Sequence, residues 1–103
     1  MEPLKVIAAP RRLRILTLVW DQELAAGEIA RQFDVSWSAI SQHLHVLKEA
    51  GFVTERREGT SRHYRTDRAA LGPLRSVVEE HWRASLGRLK ELAEAEQRAK
   101  DTT

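Results

Sequence analysis

Hydrophobic and polar residues alternate most regularly between Ser36 and Gly51. Ile40, Leu44 and Leu47 recur three or four residues apart, which predicts a helix with one buried stripe. Ser36 suits the N-cap, because its hydroxyl can accept an N–H of the first turn. Gly51 suits the left-handed position that ends many helices. We therefore predict one helix between these two residues.

The opposite face of this helix is polar but almost uncharged. At about 100° per residue, its outward side chains are mostly hydrogen-bonding groups: Ser38, Ser41, Gln42 and His45, with Trp37 at the edge. Hydroxyl, amide and imidazole groups match the donors and acceptors that base edges present in the major groove of DNA. From this helix alone, DNA readout and a soluble amphipathic helix that happens to be uncharged both stay open.

Three shorter helices are predicted before it. The first covers residues 1–9, and the second covers residues 10–20, with Pro10 at its first position, where the missing N–H costs nothing. The third covers residues 24–33 and is followed by a tight turn. Two helices joined in this way make residues 24–50 a helix-turn-helix.

A β-hairpin is predicted over residues 52–66. Strand-forming residues flank a glycine-containing turn at 58–61. Arginines lie near the tip, at Arg56, Arg57 and Arg62. Directly after a helix-turn-helix, such a hairpin is typical of a wing that lies along a phosphate backbone; the alternative is that the arginines serve only solubility.

A long C-terminal helix is predicted over residues 68–98, with Asp67 as its N-cap and a frayed tail at 99–103. Its hydrophobic stripe repeats every three or four residues: Leu71, Leu74, Val78, Trp82, Ser85, Leu89 and Leu92. A helix of about 40 Å is too long for so small a domain to cover. The stripe therefore predicts self-association, the alternative being a helix folded back on its own domain.

The composition is that of an ordinary globular chain. At 103 residues, 42% of them hydrophobic, one domain is expected. No apolar run approaches the roughly 18 residues that cross a bilayer, and the N-terminal apolar stretch is too short for a secretory signal. Without cysteine there is no disulfide or thiolate metal site. We expect a cytoplasmic location.

The net charge is only +2, but the charges are unevenly distributed. Residues 1–14 and 52–68 carry an excess of cations, whereas residues 21–34 carry an excess of carboxylates. This distribution can place a positive surface on one side of the molecule, where it would attract phosphate. Three cations crowd the first turn of the second helix: Arg11, Arg12 and Arg14. Solvation, phosphate contact and an ion pair with a second subunit all stay open for them.

Taken together, these segments resemble the ArsR family of prokaryotic winged helix-turn-helix repressors. APRRLRILTLV resembles the second-helix signature of that family, SWSAISQHLHVLKEAGFV its recognition helix, and REGTSRHYR its wing. The resemblance implies a mainly α fold with a small β-hairpin, in the order α-α-α-α-β-β-α, whose long last helix serves dimerisation. It also implies a homodimer that places one recognition helix of each subunit in the major groove.

The resemblance and the residue pattern together give candidate sites. The base contacts are Trp37, Ser38, Ser41, Gln42 and His45, and the phosphate contacts are Ser36, His43, Arg56, Arg57, Arg62 and His63. The dimer interface is expected to contain Leu4, Ile7, Leu74, Val78, His81, Trp82, Ser85 and Leu89. Trp37 stands where the family commonly has glutamine. Its ring is expected to pack on a thymine methyl or a sugar, unless neighbouring loops partly cover it.

The metal sites of many relatives are not expected here. Ala25 and Gly27 occupy the cysteine positions of the thiolate site. The positions of the last-helix zinc site hold Arg68, Ala70, His81 and Ala84. One imidazole cannot hold a tetrahedral zinc, although a different site using His81 with Glu79 or Glu80 stays conceivable. We predict no metal and no cofactor.

The predicted function is that of a homodimeric repressor, acting by promoter occlusion at a pseudo-palindromic DNA operator, with an unknown effector. The alternatives are a protein-interaction module on a winged-helix scaffold and a metal-responsive repressor with a non-standard site. The chain has no glycine-rich phosphate loop and no defensible spacing of nucleophile and base, so an enzyme is not expected.

Overall fold

The computed structural model describes residues 1–101. Within that range the elements, in chain order, are α1 (Pro3–Ala8), α2 (Pro10–Leu18), β1 (Leu24–Ala25), α3 (Ala26–Ala30), α4 (Trp37–Glu49), β2 (Val53–Glu58), β3 (Ser61–Thr66), a 3-10 helix (Ala69–Leu74) and α5 (Arg75–Asp101). The predicted winged helix-turn-helix, mainly α with a long last helix, is confirmed.

One hydrophobic core joins all these elements. Its buried side chains are Val6, Ile7, Ile15, Leu16, Val19, Trp20, Ile29, Ile40, Leu44, Leu47, Phe52, Val53, Tyr64, Leu71 and Val78. The three residues predicted as the buried stripe of α4 are all among them. The core therefore fixes which face of α4 is turned outward.

Both ends of α4 form as the sequence predicts. The Ser36 hydroxyl accepts the N–H of Ala39 at 3.2 Å, which caps the first turn. At the other end Gly51 adopts φ +82°, and the N–H of Phe52 donates to the carbonyl of Leu47 at 3.0 Å. This is a Schellman ending, which needs a left-handed residue at the glycine.

The helix predicted over residues 24–33 is wrong at both ends. Leu24 and Ala25 instead form β1, which pairs antiparallel with Tyr64 and His63 of β3. The sheet consequently has three strands in the order β1-β3-β2, rather than being a lone hairpin. Pairing of β1 satisfies backbone groups at the free edge of β3. The short α3 then begins where the Glu28 carboxylate accepts the N–H of Ala25 at 2.9 Å.

The hairpin turns in two residues, because Glu58 pairs with Ser61. Gly59 has φ +62°, as the first central position of a type II′ turn requires. Alternation along β2 and β3 gives the hairpin two faces. The inner face carries Val53, Glu55, Arg57, Arg62, Tyr64 and Thr66. The outer face carries Thr54, Arg56, Glu58, Ser61, His63 and Arg65.

The helix predicted over residues 68–98 is interrupted. Asp67 accepts the N–H of Ala70 at 3.2 Å and so caps the 3-10 helix rather than α5. Gly72 then adopts φ 55° and ψ −129°, and Pro73 follows it, which breaks the helix before α5 starts.

The described part of α5 continues to Asp101, past the predicted end at residue 98. The predicted frayed tail therefore includes helical residues at 99–101, and its last two positions lie outside the described residues. None of the helices in residues 1–101 is both long and apolar enough to cross a membrane.

Candidate nucleic-acid interface

The outward face of α4 carries the five predicted base contacts. All five side chains are exposed and line one shallow depression: Trp37, Ser38, Ser41, Gln42 and His45. Within residues 1–101, no intramolecular hydrogen bond engages the four polar ones. Their donors and acceptors are therefore free for a ligand that presents complementary groups.

A groove separates α4 from the hairpin. Trp37 and Ser41 form one wall, Thr60 and Arg62 form the other, and the enclosed volume is about 340 Å³. The predicted wing thus lies next to the recognition helix. One continuous surface contains both the outward face of α4 and the hairpin.

Arg57 and Arg62 face each other across the hairpin on its inner face. Arg57 is exposed and has no carboxylate partner among the described residues. Arg62 is also exposed, and its nearest carboxylate oxygen, on Glu55, is 4.0 Å from Nε. Arg57 therefore remains available to an external anion, whereas Arg62 is held only by this long ion pair and is 53% exposed.

Two predicted phosphate contacts are instead bound within the protein. Arg56 and His63 form a cross-strand pair on the outer face of the hairpin. Arg56 donates to Glu23 and Glu58, with shortest distances of 2.6 and 3.2 Å. The half-buried His63 ring has nitrogens 3.9 Å from a Glu23 oxygen and 3.6 Å from a Glu58 oxygen. The phosphate assignment of these two residues stays a prediction, and in the structure both side chains face carboxylates.

His43, another predicted phosphate contact, is half-buried and faces α2 rather than the depression. Its Nδ1 lies 3.4 Å from Nη1 of Arg12, a geometry that suits an unprotonated nitrogen because arginine has no acceptor. Burial, followed by the charges of Arg12 and Arg11, lowers the pKa of His43. A neutral imidazole in this position contributes packing rather than charge.

Ser36 can cap α4 and still donate a hydrogen bond to a ligand. Its oxygen accepts the capping N–H of Ala39, while its hydroxyl proton has no acceptor among the described residues. A serine at a helix N-terminus can still donate to a phosphate.

The three arginines of α2, left open by the sequence, have different environments. Arg12 donates to the carbonyls of Val6 and Lys5 at 2.7 and 3.2 Å, and so caps the last turn of α1. Arg14 stacks over the ring of Phe33 at 4.9 Å. Arg11 is exposed in a hollow beside His43.

Glu55 is a positioning residue that the sequence analysis missed. It lies on the inner face of the hairpin, accepts from the Tyr64 hydroxyl at 3.1 Å and pairs with Lys48 of α4 at 3.3 Å. Burial tends to raise its pKa, but the hydrogen bonds from Lys48 and Tyr64 and the charges of Lys48 and Arg62 outweigh it, so the pKa of Glu55 is lowered. Glu55 thus links the end of the recognition helix to the wing.

The predicted dimer surface is only partly exposed. Ile7 and Val78 are 3% and 0% exposed, so they belong to the core of the protomer and this part of the prediction is corrected. The remaining predicted positions are at least partly accessible: Leu4, Leu74, His81, Trp82, Ser85 and Leu89. Three further large hydrophobic residues on α5 are exposed: Leu92, which belongs to the predicted stripe, and Val77 and Leu86, which were not predicted.

A metal centre is not evident in the described range. Residues 1–101 contain no group of three or more metal-binding side chains close enough to share an ion. At the first zinc position, Arg68 donates to the carbonyl of Trp20 at 2.6 Å and stacks on its ring. His81 is exposed on α5.

A helix-turn-helix followed by a basic wing defines the class of winged helix-turn-helix transcriptional regulators, which bind DNA. The family model for the bacterial regulatory proteins of the ArsR family matches residues 9–55 of this chain, from just before α2 into β2. The chain belongs to the ArsR family. Its relatives are transcriptional regulators and not enzymes.

Three relatives illustrate the similarity. An HTH-type transcriptional regulator of Mycobacterium tuberculosis is 42% identical over 73 residues, covering 71% of this chain and 68% of the relative. The transcriptional activator HlyU of Vibrio cholerae is 43% identical over 61 residues, covering 59% and 56%. The transcriptional repressor SdpR of Bacillus subtilis is 36% identical over 67 residues, covering 65% and 74%.

Solved structures show the same fold. The crystal structure of a possible transcriptional regulator for arsenical resistance has a TM-score of 0.68 at 42% identity, covering 88% of this chain and 95% of the other. The homodimeric winged helix-turn-helix DNA-binding domain of a Mycobacterium bovis protein has a TM-score of 0.65 at 35% identity, covering 75% and 71%.

Proposed function

We propose that the chain is a homodimeric repressor that binds a pseudo-palindromic operator and acts by promoter occlusion in the cytoplasm. The observation that carries this proposal is the set of free hydrogen-bonding side chains on α4, at Ser38, Ser41, Gln42 and His45. This face is polar, uncharged and without internal hydrogen-bond partners, and it lies beside a basic wing. Such a face is suited to hydrogen bonding with base edges.

Base contacts and phosphate contacts divide between two elements. Gln42 can accept and donate in the bidentate geometry that adenine offers, and the two serine hydroxyls can adapt to either role. Arg57 and Arg62 supply sequence-independent affinity from the inner face of the wing. Arg56 and His63 are left out of this assignment because Glu23 and Glu58 engage them.

The exposed apolar residues of α5 support dimerisation. Leu89 and Leu92 are 62% and 61% exposed, and Leu86 is 46% exposed. At 27 residues, α5 is about 40 Å long and extends well beyond the core of one protomer. A second α5 would cover these leucines. The homodimeric M. bovis relative has the same fold.

Duplex binding tests the proposal. Labelled DNA from upstream of the coding sequence, titrated with the full chain, should shift as a complex of two protomers. In a dimer, four wing arginines can contact four phosphates. The logarithm of the binding constant, plotted against the logarithm of the salt concentration, should then have a slope of about −3.5 or steeper, at roughly −0.9 for each phosphate contacted. Self-association without any DNA shift at low salt would overturn the proposal and favour a protein-interaction module. Promoter occlusion should then lower transcription in vitro from the same duplex.

The dimer has its own test. Leu89→Glu places a charge on the exposed stripe and should convert the dimer to monomer in sedimentation. Gly87→Ala is a matched control, because Gly87 lies about 200° around the helix from Leu89 and has open space at its Cβ position. A monomeric wild-type chain, or unchanged association of the Leu89→Glu variant, would contradict this interface.

A further inference from the structure

Trp37 differs from the other exposed hydrophobic side chains in its location. In residues 1–101 the large exposed hydrophobic residues are Met1, Leu4, Trp37, Val77, Leu86, Leu89 and Leu92. All except Trp37 belong to the N-terminal segment or to α5. Trp37 lies on the recognition helix and is 55% exposed, so more than half of its surface is open to solvent.

A lone exposed hydrophobic residue is common on protein surfaces, so exposure alone does not indicate a function for Trp37. Its surroundings do. Its indole shares one depression with Ser38, Ser41, Gln42 and His45. These are the groups proposed to meet base edges. If their side chains reach the floor of a major groove, the indole beside them reaches it too.

The position of Trp37 along the helix also indicates that the indole can reach the floor of the major groove. It is the first residue of α4, directly after the N-cap Ser36. N-terminal residues of a recognition helix contact base edges in helix-turn-helix proteins. Among the groups that distinguish the base pairs on those edges, the 5-methyl group of thymine is the apolar one, and the others are donors and acceptors.

We propose that Trp37 is a specificity-determining residue that selects thymine by packing its indole against the 5-methyl group. The inference rests on the proposed DNA-binding function and adds one base preference to it. The hydroxyl and amide groups of the depression cannot supply this preference, because they gain nothing from a methyl group. Trp37 also borders the wing-side groove, whose opposite wall carries Thr60, Ser61 and Arg62.

Replacing thymine by uracil removes that methyl group and leaves every base-pair hydrogen bond intact. An operator is first selected from a randomised duplex pool with the wild-type full chain. Each thymine of the selected duplex is then replaced in turn by uracil, and affinity is measured at fixed salt. Loss of one buried methyl group should weaken wild-type binding about fourfold at the contacted position.

Two variants show whether Trp37 is the residue that recognises the methyl group. Trp37→Gln should bind the thymine and uracil duplexes within about 1.5-fold of each other, as an amide has no use for the methyl group. Gln42→Ala is the matched control: it should bind more weakly overall and keep the fourfold preference. Circular dichroism should show an unchanged fold for Trp37→Gln, because the side chain is more than half exposed.

Equal wild-type affinity for every uracil duplex would overturn the inference, and it would leave the indole packing on sugar or touching nothing. Retention of the fourfold preference by Trp37→Gln would also overturn it, because another residue would then be reading the methyl group. Absence of any duplex binding by the wild-type chain is a different outcome. It would overturn the proposed function itself, and the thymine preference with it.

Discussion

Arg56 binds Glu23 through two of its nitrogens. Nη2 lies 2.6 Å from Oε1, and Nε lies 3.0 and 3.2 Å from the two carboxylate oxygens. The hydrogen bond from Arg56 is the main reason that the pKa of Glu23 is lowered, and the pKa of Arg56 is raised above its ordinary value in return. Since Glu23 directly precedes β1 and Arg56 lies in β2, the pair connects the outer face of the wing to the rest of the sheet.

This relationship predicts different salt dependences for two neighbouring arginines. Arg57→Ala should reduce the log–log salt slope of DNA binding by about 0.9 for each protomer bound, because one phosphate contact is lost. Arg56→Ala should leave the slope unchanged, because its charge is already matched by carboxylates. Titrations at five or more salt concentrations measure both slopes.

Glu23→Gln is the control for the Arg56 assignment. Because Glu23 is the main partner of Arg56, removing its charge should leave the guanidinium partly unpaired and make the slope steeper. A smaller slope for Arg56→Ala would show that Arg56 contacts a phosphate in the wild-type protein. An unchanged slope for Glu23→Gln would show that the Glu23 charge is not what keeps Arg56 from a phosphate.

His43 predicts a pH dependence of stability. Its pKa is lowered in the folded protein, first by burial and then by Arg12 and Arg11. The unfolded chain therefore binds more protons than the folded chain between that lowered value and the ordinary histidine range of about 6.5. Consequently the free energy of unfolding should decrease as the pH is lowered through this window. Urea unfolding at pH 8 and at several values below 6.5 measures the decrease.

The matched variant for this prediction is His43→Gln, which keeps a polar side chain but cannot titrate. Its free energy of unfolding should change less with pH than that of the wild type over the same window. Identical curves for His43→Gln and the wild type would rule out the assignment.

Sequence alone could predict α4 because everything that specifies it is local. The buried stripe, the N-cap Ser36 and the glycine at the C-terminus lie within one segment, and the structure has each of them. The same locality applies to the hairpin turn at Gly59. The outward face of α4 could be predicted for this reason, since burial of one face of a helix exposes the other.

The features that sequence could not predict depend on distant partners. β1 is two residues long, too short for any periodicity, and it forms because β3 has a free edge. Arg56 seemed free until the structure placed Glu23 beside it, 33 positions away. Gly72 could have been suspected, since a glycine before a proline often marks a break, but the continuing stripe on both sides favoured an unbroken helix.

Substitution of Glu55 should lower the stability of the protein and also displace the wing. Glu55→Gln removes the ion pair with Lys48 and weakens the hydrogen bond from Tyr64. The Glu55 side chain is only 14% exposed, so we expect a loss of about 1–2 kcal/mol in the free energy of unfolding. Tyr64→Phe should lose about 1 kcal/mol, and the double variant should lose less than the sum, since both remove one shared contact.

Measurements of DNA affinity distinguish a positioning role of Glu55 from a direct contact of Glu55 with DNA. Glu55→Gln should weaken binding to all duplexes alike and leave their order of preference unchanged, because the wing moves and the base-reading face does not. A changed order of preference would mean that Glu55 itself influences base readout. Additive losses in the double variant would mean that Tyr64 and Glu55 act independently.

Gly51 sets the direction in which the chain leaves α4, and this predicts opposite effects for two glycine substitutions. Gly51→Ala should destabilise the protein by about 1–2 kcal/mol, because its φ of +82° is unfavourable for a residue with a Cβ, although no neighbouring atom would obstruct that Cβ. Gly27 lies within α3 without a positive φ and with equally open space, so Gly27→Ala should stabilise by about 0.5–1 kcal/mol. Chemical unfolding of both variants measures the two shifts. A loss of stability in both would mean that the sign of φ does not distinguish the two positions, and an unchanged stability for Gly51→Ala would mean that the φ of +82° carries no penalty for a residue with a Cβ.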